Sequence, residues 1–246
     1  ILRGGFGMMH DRIQGNLIFN PVFTNPADVV TPTVSNGNLA NLGGVSADNI
    51  PPLGSLVAAA PDGKVPTIYN FSIGVQRELG GGYFVEATYV GNRGEHLIRQ
   101  PDINRASFDD LRANAALPAA QRVSPNYLRP YKGFSEIRMR MSDADSEYNA
   151  LQLYATKRRG QLQFTVSYTL GKVTTNASGN GDNDAPEAAG DLEYTRGPAS
   201  FDRRHALVNT FTYRPPFWLD RSDILALILA GWELSGKMRY QSGQYY

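Results

Sequence analysis

The sequence predicts an all-β protein whose antiparallel, up-and-down strands form a segment of a transmembrane β-barrel with long extracellular loops. Two patterns predict this fold class. Stretches of about ten residues alternate apolar and polar side chains, and the connections between them alternate between short turns and long polar loops. The composition agrees, because 25 Gly, 15 Pro, 13 Tyr and 11 Phe favour strands, turns and loops over helices.

Seven strands are predicted from this alternation. In the clearest strand every apolar residue lies on one face, which consists of Leu162, Phe164, Val166, Tyr168 and Leu170. In chain order the predicted strands are Leu2–His10, Tyr69–Glu78, Tyr83–Val90, Tyr148–Lys157, Gln161–Gly171, Arg204–Tyr213 and Trp232–Gln241. In the sixth strand Asn209 shares a face with Leu207 and Phe211, so the sequence leaves open which of its sides is apolar.

The connections predict which side of a membrane each strand end faces. The short turns are 80–82 and 158–160, and the long polar loops are 13–66, 92–146 and 173–201. Short turns of membrane barrels are periplasmic and long loops are extracellular, and the seven strands satisfy this rule with the turn 214–222 on the periplasmic side. An eighth extended stretch, Phe134–Met141, would break the rule. It is therefore placed above the membrane, in the outer loop or as an extension of the fourth strand.

The apolar faces must meet either lipid or a protein core, because leaving them in water forgoes about 1.5 to 3 kcal/mol for each large side chain. Alternation alone fits both a lipid-facing barrel wall and a β-sandwich core. Two features favour lipid: the faces reach the roughly 9 to 11 residues of a tilted span, and aromatic residues lie near their ends. These girdle residues are Tyr69, Tyr83, Tyr89, Tyr168, Trp232 and Tyr240. A soluble β-sandwich for carbohydrate binding or adhesion is the alternative.

Charge and chain ends limit the choice further. The formal net charge of +1 gives no reason to expect a nucleic-acid partner. The longest apolar run, Ile224–Ala230, is far shorter than the roughly 20 residues of a membrane helix. The sequence starts at Ile1 without a Met or a signal peptide, and its last residues, Gln244, Tyr245 and Tyr246, are typical of the middle of a strand. We expect both ends to be cut from a longer chain.

Short motifs spread over the chain, outside the long loops, resemble the barrel strands of Oar-like TonB-dependent receptors. They are YNFSIGVQREL at 69–79, VEATYVGNRG at 85–94, YNALQ at 148–152, YTLGK at 168–172, FDRRH at 201–205, GWELSG at 231–236 and QSG at 241–243. Their order also matches that of the family.

The resemblance implies a bacterial outer-membrane location and a barrel of about 22 strands, of which seven are about a third. It also implies an N-terminal plug, a regulatory domain and coupling to TonB and the proton-motive force. None of those parts is in this sequence, so residues 1–246 are interpreted as one partial barrel domain. The expected partners are outer-membrane lipid, TonB through the missing N-terminal parts, and an unknown external ligand.

The polar faces supply the candidate pathway. We expect them to line a wet lumen, while the long loops capture a ligand outside. The candidate lumen residues are Gln76, Glu86, Gln163, Thr165, Glu233, Lys237 and Arg239.

The sequence offers no support for an enzyme, a cofactor or a metal site. It contains no phosphate-binding glycine loop, nucleophile elbow or zinc helix. His10, His96 and His205 are far apart and lack metal-ligand spacing. Calcium is a minor hypothesis for the acidic loop 180–193, whose spacing fails the EF-hand pattern. Its acidic and amide residues are Asp182, Asn183, Asp184, Glu187, Asp191 and Glu193, and a second acidic group is Asp143, Asp145 and Glu147.

Overall fold

A computed structural model describes residues 1–12, 15, 54–132, 134–179, 195–217, 224, 228 and 230–244. Nine strands lie within these residues, and seven of them have eight residues or more. The strands are β1 Leu2–His10, β2 Leu56–Ala59, β3 Thr67–Gly80, β4 Tyr83–Arg99, β5 Ile137–Lys157, β6 Leu162–Thr175, β7 Gly197–Pro198, β8 His205–Tyr213 and β9 Leu234–Gln241. The seven long strands are those that the alternation predicts.

The long strands form one antiparallel sheet in chain order, β1-β3-β4-β5-β6-β8-β9. Each long strand therefore pairs with the next long strand along the sequence, which confirms the predicted up-and-down topology. The two short strands join the sheet beside it: β2 pairs with β5 in parallel, and β7 pairs with β6. β1 has 9 residues while β3 to β6 have 14 to 21, so several strands extend well past a membrane span.

Glycines make the short turns possible. Gly80, Gly81 and Gly82 join β3 to β4 with φ angles of 81°, 59° and 83°. A side chain at such angles meets its own backbone, whereas glycine has no Cβ and adopts them freely. Gly160, with φ 89°, does the same between β5 and β6. These turns fix the register of the two hairpins.

The predicted loop 92–146 is shorter than the sequence indicates. β4 continues to Arg99 and β5 already starts at Ile137, so the connection covers only 100–136. The hairpin continues through pairs such as Arg93 with Glu147 and Leu97 with Ala144. Ile137, Met139 and Met141 alternate with Arg138 and Arg140 at the start of β5, whereas residues 92–96 of β4 are polar or glycine on both faces and give no alternating pattern. Phe134–Met141 consequently belongs in part to β5, as the second of the two predicted placements has it.

The strand boundaries differ at the end of the chain as well. β9 begins at Leu234, so Trp232 and Glu233 lie before it rather than within it. For β8 the register settles the open question, because Leu207, Asn209 and Phe211 lie opposite Tyr168, Val166 and Phe164. The side of β8 that carries Asn209 is therefore its apolar side.

The connection between β4 and β5 contains helical segments that the sequence analysis did not predict. Helix α1 spans Phe108–Ala116, and two short 3-10 helices follow at Ala119–Gln121 and Pro125–Leu128. No helix in the described residues has the length and hydropathy to cross a membrane.

Few apolar side chains are buried in the described part of the chain. The buried ones are Ala106, Ile137, Ala144, Ala150 and Ala199. All but Ala150 lie near the strand ends that carry the long loops or in those loops. A sandwich core would require large aliphatic and aromatic side chains packed between two sheets. The described strands instead form one sheet.

Candidate functional site

Cross-strand pairing divides the sheet into an apolar side and a polar side. Residues that pair directly across antiparallel strands lie on the same face. One row on the apolar side is Val75, Ala87, Leu153, Tyr168, Leu207 and Tyr240. The adjacent row on the polar side is Gln76, Glu86, Tyr154, Ser167, Val208 and Arg239.

On β3 and β4 the apolar side is the more exposed of the two. Ile73 and Val75 are 57% and 56% exposed, and Phe6 on β1 is 73% exposed. From Phe71 to Arg77 the odd-numbered residues on the apolar side are exposed, and the even-numbered residues between them are half-buried. A soluble sheet shows the opposite relation, because its apolar face packs on a core. This arrangement is typical of a membrane barrel, whose outer surface is apolar and whose interior is polar.

Aromatic residues occur toward both ends of the apolar side. Tyr83 begins β4 at the turn end, where its ring lies 6.4 Å from that of Phe164 and 4.9 Å from Lys157 Nζ. At the loop end the Tyr89 hydroxyl donates to Asn149 Oδ1, and the Tyr168 hydroxyl bonds His205 Nδ1 at 2.8 Å. Amphipathic rings in these positions match the two interfaces of a bilayer. Trp232 lies near the turn end and is 65% exposed.

The structure brings most of the candidate lumen residues to the polar side. Gln76 and Glu86 pair directly across β3 and β4, and the Thr88 hydroxyl donates to Glu86 Oε1 at 3.0 Å. Thr165 of β6 lies opposite Thr156 and Thr210, and its hydroxyl is 3.2 Å from that of Thr156. The polar side is thus lined mainly by hydroxyl and amide groups with a few separate charges.

The remaining candidates lie on the same side but nearer its margins. Gln163 pairs with Thr212, and Lys237 pairs with Thr210. Arg239 pairs with Val208 and donates to Gln241 Oε1 at 3.0 Å. β9 lies at the end of the described sheet, and both basic side chains are exposed there.

Glu233 is the exception among the candidates. It precedes β9 at the turn end, where its Oε2 accepts from Arg214 Nε at 2.6 Å. Both side chains are about half exposed, at 47% and 62%, so this ion pair contributes little stability. Glu233 therefore belongs to the rim at the turn end and not to the wall of the polar side.

A depression of about 240 Å³ lies on the polar side between β1, β3 and β4. It exists because the residues beneath it are small: Gly5, Ser72 and Gly74. Arg3, Gln76 and Glu86 supply the charged and amide groups at its walls. These groups are suited to hydrogen bonding with a polar solute and contain no nucleophile paired with a base.

A structured segment, residues 100–132, covers the strand ends between β4 and β5. We call this segment the loop cap. Its centre is Asn104, which is fully buried. Asn104 Nδ2 donates to the Tyr131 and Phe134 carbonyl oxygens at 3.0 and 3.1 Å, and its Oδ1 accepts from Tyr131 N at 2.7 Å. One side chain thereby holds both ends of the cap together.

Asp102 and Arg129 complete this centre. Asp102 Oδ1 accepts from Asn104 N at 2.9 Å and from Ile137 N at 3.0 Å, so it links the cap to the start of β5. Arg129 Nη1 donates to the Asn104 carbonyl oxygen at 2.9 Å and lies 3.5 Å from Asp102 Oδ2. None of the three residues was predicted, because the contacts of Arg129 with Asn104 and of Asp102 with Ile137 span 25 and 35 positions and leave no local pattern.

The acidic residues of β5 are paired with arginines. Asp143 accepts from Arg99 Nε and Nη2 at 2.6 and 2.7 Å, and Asp145 accepts twice from Arg196 Nη1. Glu147 lies 3.9 Å from Arg196. Among the described residues no three His, Asp or Glu side chains form a group suited to a metal ion. The acidic loop 180–193 lies outside the described residues.

The histidines lie on three different strands. His10 Nδ1 is 3.0 Å from the Thr67 hydroxyl, and His205 contacts Tyr168. His96 has φ 58° where the pairing of β4 and β5 shifts register between Gly94 and Leu97. The three side chains are therefore not brought together into one site.

The comparison with protein families identifies the class of protein to which this chain belongs. The model of the outer membrane beta barrel domain family matches residues 1–246. This chain belongs to that family. The barrel domain is therefore a component of the bacterial outer membrane, and the β-sandwich alternative is wrong.

No curated protein matches this barrel domain. Among solved structures it is similar to the outer membrane transporter YddB from Escherichia coli, with 14% sequence identity and a TM-score of 0.43. The match covers 65% of this chain and 20% of that chain, so the barrel domain spans about a fifth of the transporter's length.

Proposed function

We propose that this barrel domain is part of an Oar-like TonB-dependent transporter for energy-coupled substrate uptake. The observation that carries the proposal is the polar side of the sheet, which is more enclosed than the apolar side on β3 and β4 and contains Gln76 on β3, Glu86 on β4 and Thr165 on β6. A wall of hydroxyl and amide groups stabilises a hydrated pathway. The motifs at 69–79 and 85–94, which resemble Oar-like receptors, support the finer assignment.

The proposed roles follow from the two sides and the two ends of the sheet. The apolar side contacts lipid, and the long loops capture an external ligand. Contact with TonB is made through N-terminal parts that this sequence does not include. We assign the domain no catalytic role, no cofactor and no nucleic-acid partner, since its charged residues are either paired or dispersed along a polar wall.

Cysteine labelling tests energy coupling. The chain contains no Cys, so a single introduced thiol gives a clean signal from this domain. We expect Thr165→Cys in the whole protein to react with a membrane-impermeant maleimide in energised cells, and severalfold more slowly after a protonophore or loss of TonB. Opening of an energised transporter changes access to its lumen, which is the physical reason for the difference.

Val166→Cys is the matched control, because it lies one position away on the opposite side of β6. Its labelling is expected to be low and to be unaffected by the protonophore. Equal labelling of Thr165→Cys with and without TonB would contradict energy coupling and would leave a passive pore.

A further inference from the structure

The loop cap exposes large apolar and aromatic side chains although internal hydrogen bonds tie its backbone together. Tyr127 is 73% exposed, Tyr131 is 52% exposed and Phe108 is 57% exposed. Exposed aromatic residues grouped in one ordered segment are typical of binding surfaces. Tyrosine is especially suited to this, since it presents a large amphipathic surface with little conformational entropy to lose.

Internal hydrogen bonds hold the cap in one conformation before any ligand arrives. Asn104 fixes the backbone at Tyr131, as described above. Asn114 of α1 bonds both the N–H and the carbonyl oxygen of Val123, at 3.0 and 2.9 Å. Arg129 Nε donates to Asn126 Oδ1 at 3.1 Å. A surface that is ordered in advance binds with a smaller entropic cost.

The aromatic part of the cap is also basic. Residues 117–132 contain Arg122, Arg129 and Lys132 and no acidic residue. The Lys132 ammonium group donates to the backbone oxygen of Tyr127, which places a positive charge at the backbone of the residue whose ring is the most exposed in the cap. Arg122 is exposed as well. Cations beside aromatic rings attract anionic groups, while the rings themselves stack on flat or ring-shaped ligands.

We propose that the surface formed by Tyr127, Tyr131 and Lys132 binds an acidic polysaccharide at the outer face of the barrel. The tyrosine rings stack on sugar rings, and Lys132 with Arg122 attracts the carboxylate or phosphate groups that the sugars carry. This inference rests on the proposed function in one respect, since it requires the loop ends of the strands to face the exterior.

Binding to the purified whole protein in detergent tests the proposal without any need for uptake. The probes are polygalacturonate, an uncharged dextran of the same length and polyglutamate, an anion without rings. We expect polygalacturonate to bind, and the other two to bind at least about tenfold more weakly, a difference that corresponds to one good contact. Tyr127→Ala with Tyr131→Ala, and separately Lys132→Gln, should each weaken polygalacturonate binding at least about tenfold.

Two matched controls separate the cap from a general surface effect. Phe217→Ala removes an aromatic side chain that is 54% exposed in the turn 214–222, and Arg159→Gln removes an exposed basic side chain in the turn 158–160, both at the opposite end of the strands from the cap. Both should leave binding unchanged. Equal affinity for polyglutamate, equal affinity for dextran or unchanged binding by the cap variants would each overturn the proposal. If polygalacturonate binds but the labelling of Thr165→Cys does not depend on TonB, the energy-coupled transport function is overturned and the binding proposal is not.

Discussion

Two phenylalanine rings on the apolar side lie across glycines of the neighbouring strand. Phe71 pairs with Gly91, and a Cβ at Gly91 would lie only 2.1 Å from the Phe71 ring. Phe211 pairs with Gly236 in the same way, with a closest approach of 2.9 Å. The glycines therefore provide space for a ring to lie flat against the sheet, which increases the contact between strands.

Gly91→Ala should destabilise the barrel by about 1 to 3 kcal/mol, because the added methyl group forces the Phe71 ring out of its position. The measurement is the urea midpoint of the whole protein in lipid vesicles. Gly7→Ala is the control, since Gly7 lies in β1 and a Cβ there meets nothing within 4 Å. If both variants unfold at the same urea concentration, ring packing on Gly91 contributes nothing to stability.

One polar residue, Asn209 of β8, lies on the apolar side of the sheet. Asn209 lies opposite Val166 and Met238, and its Oδ1 is buried without a hydrogen-bond partner among the described residues. An amide in that environment carries a desolvation cost. We have no physical account of why this residue is retained in β8.

Among the structural elements, the loop cap depends on one buried amide. Asn104→Ala would leave the Tyr131 N–H and the Phe134 carbonyl group without their side-chain partner. Each unsatisfied buried group costs about 1 to 3 kcal/mol, so the cap should open locally. The expected result is faster hydrogen exchange and proteolysis within 100–136, with the urea midpoint of the spanning strands unchanged.

Asn126→Ala is the control, because Asn126 is exposed. Among the described contacts its side chain only accepts from Arg129 Nε, and its backbone N–H donates to the Ser124 hydroxyl, which the substitution does not remove. Hydrogen exchange in the cap should remain close to that of the natural protein. A cap that stays protected in Asn104→Ala would show that Asp102 and Arg129 are sufficient to hold it.

The elements of the fold were predictable to different degrees. β1 has the predicted boundaries, and β6 and β8 start within one residue of the prediction, because side-chain alternation is a local signal. The extension of β4 to Arg99 was not predicted, since residues 92–96 have no apolar face, whereas the early start of β5 was one of the two placements predicted for Phe134–Met141. β2 pairs with residues about 80 positions away, and no local pattern encodes such a contact.

The same distinction holds for the candidate site. The alternation of side chains along each strand predicted that Gln76, Glu86 and Thr165 lie on the polar side of the sheet. The strand register confirms that placement. The cap required tertiary information: α1 has two acidic residues in its first turn and buries no side chain, so its sequence has no apolar stripe. Its start depends on Ser107, whose hydroxyl accepts from Asp110 N at 3.1 Å.

At the scale of the whole molecule, the exposure pattern is stable only in a membrane. On the apolar side Phe6, Ile73, Val75 and Met238 are each more than half exposed, and in water each such side chain would forgo about 1.5 to 3 kcal/mol. Lipid removes this cost without a second protein layer. The polar side then faces the interior of the barrel, where water satisfies its hydroxyl and amide groups.

Two neighbouring substitutions in β6 test this orientation in the whole protein. Val166→Arg places a charge on the apolar side between Ala155 and Asn209, and should cost roughly 2 to 4 kcal/mol of barrel stability near the bilayer midplane. Thr165→Arg places the same charge on the polar side, where water solvates it, so the cost should be much smaller. Urea unfolding in lipid vesicles measures both, with Thr165→Arg as the control for side-chain size. Equal tolerance of the two arginines would mean that the apolar side does not contact hydrocarbon, because only a lipid-facing position discriminates so strongly between adjacent residues.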